Sequence, residues 1–281
     1  MELNTLFGFP QSGERAVAMA RFPEFAPLLK YMPARQPPLS EGGRLILESV
    51  IGVDERVRVR DTTADPWRKI CCLTITGANG AVARGTAWFV GPRTLLTAGH
   101  CVYSTVLFGG WAQEIYVEPA RDGAEVPFGT LKSTWFSTLR AWIDDETPDM
   151  DVGCIQLDEP LGERLGWFEI DTGWDDVPEP DTVTIAGYPV DRDSGNAMYL
   201  HRSSLLRSTA TQLFYDVDTV GGQSGAPIWM DAADGSSKAI GIHAYGASGE
   251  LDPVLGVEAN YGRRFTSELM VTIASWVSEN G

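Results

Sequence analysis

Three side chains lying far apart in the chain, His100, Asp151 and Ser224, are of the types that together perform acyl transfer. Serine is a poor nucleophile at neutral pH and needs a base. A neutral imidazole, with an ordinary pKa of about 6.5, can take its proton. A carboxylate on the other ring nitrogen fixes the tautomer and stabilises the imidazolium. Ser224 stands in "TVGGQSGAPIW", residues 219–229, where three glycines surround one serine. Such clusters mark tight turns or close approach of a ligand. The backbone N–H groups of Gly222 and Ser224 can then form an oxyanion hole, and losing one such donor costs on the order of 10²–10³ in rate. The alternative is an ordinary loop between two strands.

The elements around these residues fit positioning. His100 follows an apolar run and a small-residue turn in "LLTAGHCVY". Asp151 opens an apolar run in "DMDVGCIQL", where a carboxylate is costly without a partner. Asp149 is the near competitor; it follows Pro148 in the charged "DDETPDMD" and reads as solvated. Short apolar runs bounded by turn residues predict strands in "KICCLTIT", "GTAWFVG", "RTLLTAG" and "DVGCIQL". After about residue 165, "DTVTIAGYP", "AMYLHRSS", "QLFYDVD", "APIWM" and "KAIGIHAYG" follow. In "FTSELMVTIASWVSE", Phe265, Leu269, Ile273 and Trp276 recur at near-helical spacing, with Thr266 as N-cap. The outline is all-β, two groups of about six strands closed by a C-terminal helix.

The chain of 281 residues is long enough for a sizeable core, and 43% of it is hydrophobic. A net charge of -16 argues against nucleic acid as a partner. No apolar run approaches the roughly 20 residues of a membrane span. Residues 1–48 are proline-rich and carry five basic and five acidic side chains, so the whole deficit lies in 49–281. The start lacks the basic and apolar regions of a secretory signal. That points to the cytoplasm, unless a signal has been removed or export takes another route. Cys71, Cys72, Cys101 and Cys154 match no zinc spacing and read as buried thiols; no metal or cofactor is expected.

The order His, Asp, Ser is that of chymotrypsin-type enzymes. "GTAWFVGPRTLLTAGHCVY", "DVGCIQL" and "DTVGGQSGAPIW" resemble the three motif regions of trypsin-fold serine proteases, closest to the bacterial glutamyl endopeptidases. "SVIGVDERVRVRDTTADPWRKI" (49–70) resembles their mature start, and the likeness runs to about residue 279. The resemblance implies two six-stranded antiparallel β-barrels, about 49–162 and 163–264, a helix at about 265–279, and an N-terminal extension 1–48 as pro-segment or regulatory arm. It implies a serine endopeptidase acting on protein or peptide substrates after glutamate, with Thr219 and His243 lining the primary pocket; His201 reads as structural. Asp218, six residues before Ser224, stands where trypsin-like enzymes bind Arg or Lys, so basic specificity is the alternative. An inactive binding protein on the same fold is the alternative of another class. The resemblance also implies a zymogen cut between Glu48 and Ser49, and leaves a protein regulator open. Many relatives pair a cysteine after the histidine with one sixteen residues earlier; here those positions are Cys101 and Gly85, which implies a free Cys101.

Overall fold

The computed structural model describes residues 7–8, 49–173, 182–232, 235–247 and 254–279. Strands Ile70–Gly77 (β1), Val82–Phe89 (β2), Thr94–Thr97 (β3), Gly110–Pro119 (β4), Leu131–Ser133 (β5), Trp135–Leu139 (β6) and Gly153–Gln156 (β7) form the first sheet. Their order is β6-β7-β3-β2-β1-β4, with β5 on the far side of β4. Only Thr134 separates β5 from β6, so the chain itself joins the two edges and the barrel is nearly closed. Ile70, Cys71, Cys72 and Leu73 are all buried, because a strand here has the barrel core on one face and packed elements on the other. Burial on both faces is why these segments read as continuous apolar runs.

The second barrel comprises Thr182–Gly187 (β8), Tyr199–Ser208 (β9), Gln212–Tyr215 (β10), Pro227–Asp231 (β11), Ser237–Tyr245 (β12) and Asn260–Arg264 (β13). Antiparallel pairing runs β8-β9-β10-β13-β12-β11 and returns to β8, a closed six-stranded ring. The C-terminal helix Ser267–Ser278 is capped as its sequence predicts: the Leu269 N–H donates to Thr266 Oγ1 at 3.2 Å. It buries Leu269, Ile273 and Trp276, and the Trp276 carbonyl accepts from Gln156 Nε2 of β7 at 2.6 Å. A helix that follows the second barrel thus fastens onto the first.

One placement differs from the sequence reading. Residues 49–58, assigned there to the first barrel, lie against the second: Val57 pairs with Leu200 and Arg58 with Tyr199 of β9. Buried Arg56 anchors this stretch through Asp54 and Asp191. Strands β4, β5, β6 and β13 lack a clear apolar run. Buried Glu118 of β4 is satisfied by Arg121 and Thr130, and Arg263 and Arg264 of β13 donate to the Thr211 and Thr209 carbonyls. Within the 1–48 extension, Phe7–Gly8 pairs antiparallel with β6, Phe7 opposite Leu139.

All four cysteines are free and buried. A Cβ built on Gly85 would stand 3.0 Å from Cys101 Sγ, close to the separation of a Cβ from the far sulfur across an S–S bond. Gly85→Cys is therefore expected to close a disulfide with Cys101 in oxidant. A loop of this length stabilises by about 3 kcal/mol in the chain-entropy account. Thermal unfolding with and without reductant checks it; equal midpoints, or two titratable thiols at these positions after oxidation, would count against it.

Candidate active site

The turn Gly99–Cys101 follows β3 directly and carries His100. β7 pairs with β3 in a register that sets Gly153 opposite Thr97. Carrying that register two residues further brings Asp151 alongside this turn. The Asp151 carboxylate is fully buried. Its Oδ1 accepts the His100 backbone N–H at 2.8 Å, and its Oδ2 lies 2.7 Å from His100 Nδ1. Burial alone would lower the His100 pKa; the adjacent Asp151 charge outweighs it and holds the imidazole well above its ordinary value. Asp149 goes elsewhere: its Oδ1 accepts from Thr211 Oγ1 of the second barrel at 2.9 Å, so it is an inter-barrel tie and not the solvated group the sequence suggests.

Ser224 lies in the turn between β10 and β11. Backbone contacts hold that turn to both barrels. On one side Thr86 N–H donates to the Ser224 carbonyl at 2.9 Å, and Thr86 Oγ1 donates to the Gly222 carbonyl at 2.8 Å. On the other, Gly225 N–H donates to the His243 carbonyl at 2.7 Å and His243 N–H to the Ala226 carbonyl at 2.9 Å. Cys101 Sγ lies 3.7 Å from the Ser224 carbonyl, so the His100 turn and the serine turn adjoin. The glycines are required here. Gly222 has φ +98° and a Cβ on it would stand 2.4 Å from the Tyr188 carbonyl oxygen. Gly225 has φ +88° and a Cβ would come within 2.2 Å of the Thr86 carbonyl oxygen. Both positions exclude any other residue by conformation and by space.

His243, on β12, is fully buried, with Nδ1 2.5 Å from the Tyr215 hydroxyl. Thr219 is also fully buried, and its Oγ1 has no hydrogen-bond partner among the described residues. Its N–H donates to the Ser49 carbonyl at 3.4 Å. Glu48, the other half of the expected processing bond, lies outside the described residues.

Asp218, weighed above as an acid for basic substrates, has both oxygens engaged within the protein. Oδ1 accepts the Ile51 N–H at 2.8 Å and Oδ2 the Glu55 N–H at 2.9 Å. His201 is structural as expected: its Nδ1 accepts the Asp218 N–H at 2.8 Å.

Three neighbours escaped the sequence reading. Tyr215 and Tyr245 were visible only as aromatic members of strands. Tyr245 stacks on Tyr261, with ring centroids 5.0 Å apart, and its ring centre lies 6.1 Å from that of His100. Burial, then the Asp151 charge, push the Tyr245 phenol up. Asn260, in the stretch "NYGRR", was not singled out as a residue.

The model of the trypsin family matches residues 73–261. A glutamyl endopeptidase from Bacillus licheniformis is 34% identical over 234 residues, covering 82% of this chain and 69% of the relative. A protein of Bacillus subtilis described as an extracellular metalloprotease is 33% identical over 232 residues, covering 82% of this chain and 70% of its own. Among solved structures, a Glu endopeptidase in complex with MPD superposes with a TM-score of 0.69 at 25% identity, covering 82% of this chain and 99% of that one.

Proposed function

The chain belongs to the bacterial glutamyl endopeptidase family of trypsin-fold serine proteases, and from that premise we propose that it cleaves peptide bonds after glutamate, using His100, Asp151 and Ser224. It is a serine endopeptidase, and its substrates are peptides or proteins. The 2.7 Å contact between His100 Nδ1 and Asp151 Oδ2 carries the proposed mechanism. It fixes hydrogen on Nδ1 and leaves Nε2 as the base. His100 takes the Ser224 proton as Oγ attacks the scissile carbonyl. The Gly222 and Ser224 N–H groups receive the oxyanion, and His100 returns the proton to the leaving amine. Water then repeats the sequence on the acyl-enzyme.

Glutamate is favoured over arginine or lysine by the surroundings of Thr219 and Asp218. His243 Nδ1 lies 2.5 Å from the Tyr215 hydroxyl, and in the tautomer that accepts from Tyr215 the ring hydrogen sits on Nε2. The Thr219 hydroxyl, with no hydrogen-bond partner among the described residues, is a further donor. Asp218, by contrast, has both oxygens taken by backbone N–H groups. A substrate carboxylate therefore meets donors, and a substrate cation meets no available acid at Asp218. The bond between Glu48 and Ser49 has glutamate on its acyl side, so one active molecule can process another. The amine so formed on Ser49 has an ordinary pKa of about 7.7–8.0 and would add positive charge near Thr219.

A peptide-library profile of the wild type beside Ser224→Ala tests the specificity. Cleavage should follow glutamate. Some cleavage after aspartate is expected, because one methylene is worth only about 1–3 kcal/mol of discrimination. In His243→Ala, glutamate cleavage should fall far more than labelling of Ser224 by a fluorophosphonate. A profile dominated by Arg or Lys would overturn the assignment. A product beginning at Ser49 in the incubated wild type, absent from Glu48→Gln, would support processing there.

A further inference from the structure

Asp218 is buried, yet its carboxylate is directed to none of the chemistry above. Its oxygens reach two amides of one distant segment, Ile51 and Glu55. The residues flanking it grip the same segment. Asn260 Nδ2 donates to the Ser49 carbonyl and to the Val217 carbonyl, each at 2.7 Å. Asn260 Oδ1 accepts the Ala247 N–H at 2.7 Å. Ser49 Oγ donates to the Ala247 carbonyl at 2.7 Å, and Thr219 N–H donates to the Ser49 carbonyl. Asp218 and Thr219 therefore bond Ser49–Glu55 directly, and Val217 is linked to it through Asn260. His201 holds Asp218 from behind through its N–H.

Most of these bonds use the Asp218 carboxylate, the Asn260 side-chain amide and backbone groups that exist whether or not the chain has been cut. A free amine on Ser49 is needed for none of them. A buried carboxylate is stable only with such partners, and backbone N–H groups supply them without a counter-charge.

We propose that Asp218 is a positioning residue for substrate selection: it docks residues 49–55 as a wall of the primary pocket, before and independently of cleavage at Ser49. The proposal rests on the reading of Thr219 and His243 as that pocket. Cleavage would then alter the charge of a wall already in place.

The experiment has two arms. In the first, amide exchange is followed at single residues in the intact full chain carrying Ser224→Ala, which cannot process itself. Ile51 and Glu55 should be protected, and adding Asp218→Ala should speed their exchange at least about tenfold while β1 and β2 amides stay slow. Unprotected Ile51 and Glu55 amides in the intact chain would overturn the proposal. In the second, Asp218→Asn keeps one acceptor and is the milder variant. It should raise KM for the preferred peptide about tenfold, with kcat and fluorophosphonate labelling within about twofold of wild type. Equal losses of labelling and peptide cleavage would mean a general structural role and would also overturn it. A wild-type preference for some residue other than glutamate, with protected amides and the same KM shift, would support the clamp and reject the glutamate reading alone.

Discussion

Ser224→Ala is expected to lower kcat for peptide hydrolysis by about 10⁶-fold while the folded chain survives. The substitution removes one hydroxyl oxygen. The turn itself is held by backbone bonds from Thr86 and His243 and by the conformations of Gly222 and Gly225, none of which involves that oxygen. The far-ultraviolet spectrum and unfolding midpoint should therefore stay close to wild type. Adding His100→Ala should cost little more, because nucleophile and base act as a unit and the residual rate comes from binding and the oxyanion donors. Steady-state hydrolysis with purified variants measures this. Turnover by Ser224→Ala within tenfold of wild type would reject Ser224 as nucleophile. Failure of the wild type to react with a fluorophosphonate would favour a binding protein built on the protease fold.

Asp151→Asn should reduce kcat by about 10⁴-fold through the tautomer of His100. The amide that replaces the carboxylate can still accept the His100 backbone N–H with its oxygen. Its NH₂ then faces Nδ1 and donates to it, which moves the imidazole hydrogen to Nε2. Ser224 is left with no acceptor for its proton. The same pair sets the pH profile. The base works only when neutral, so activity is full above the His100 pKa and is lost as pH falls through it. That pKa is raised well above 6.5, so the acid limb of kcat/KM lies above that value. The stability linkage has the opposite sense. A histidine raised on folding adds stability that is fully present below about 6.5 and is lost as pH rises through the folded value. In Asp151→Asn burial persists without the charge, so the acid limb should move to lower pH. An unmoved limb would mean that it reports another group.

The strands legible in the sequence were those buried on both faces, such as Ile70–Gly77, where apolar residues run together. Asn260–Arg264 was not, because its two arginines are buried yet satisfied by the Thr209 and Thr211 carbonyls, and composition carries no record of such partners. His100 and Ser224 stood out from local turn chemistry alone. Asp151 was preferred over Asp149 because it opens an apolar run, and the register of two strands sets it beside the His100 turn. The environment of Asp218 was the least legible. Six residues before a serine, an aspartate looks like a pocket acid; its real partners, Ile51 and Glu55, lie more than 160 positions away. The Tyr215 contact with His243 likewise joins residues 28 apart on different strands, with no sequence periodicity to announce it.

The serine turn, bonded to Thr86 of one barrel and to His243 of the other, has a mechanical meaning. It acts as a rivet through the seam between two stiff shells. A sliding or hinging displacement of the barrels at this point would have to break the Thr86 N–H bond to Ser224 or the Gly225 N–H bond to His243. The backbone of the serine turn is therefore tied directly to Thr86 of one shell and to His243 of the other. Any compliance between the shells would be resisted least away from the rivet, leaving the serine turn in register with Thr86 and His243.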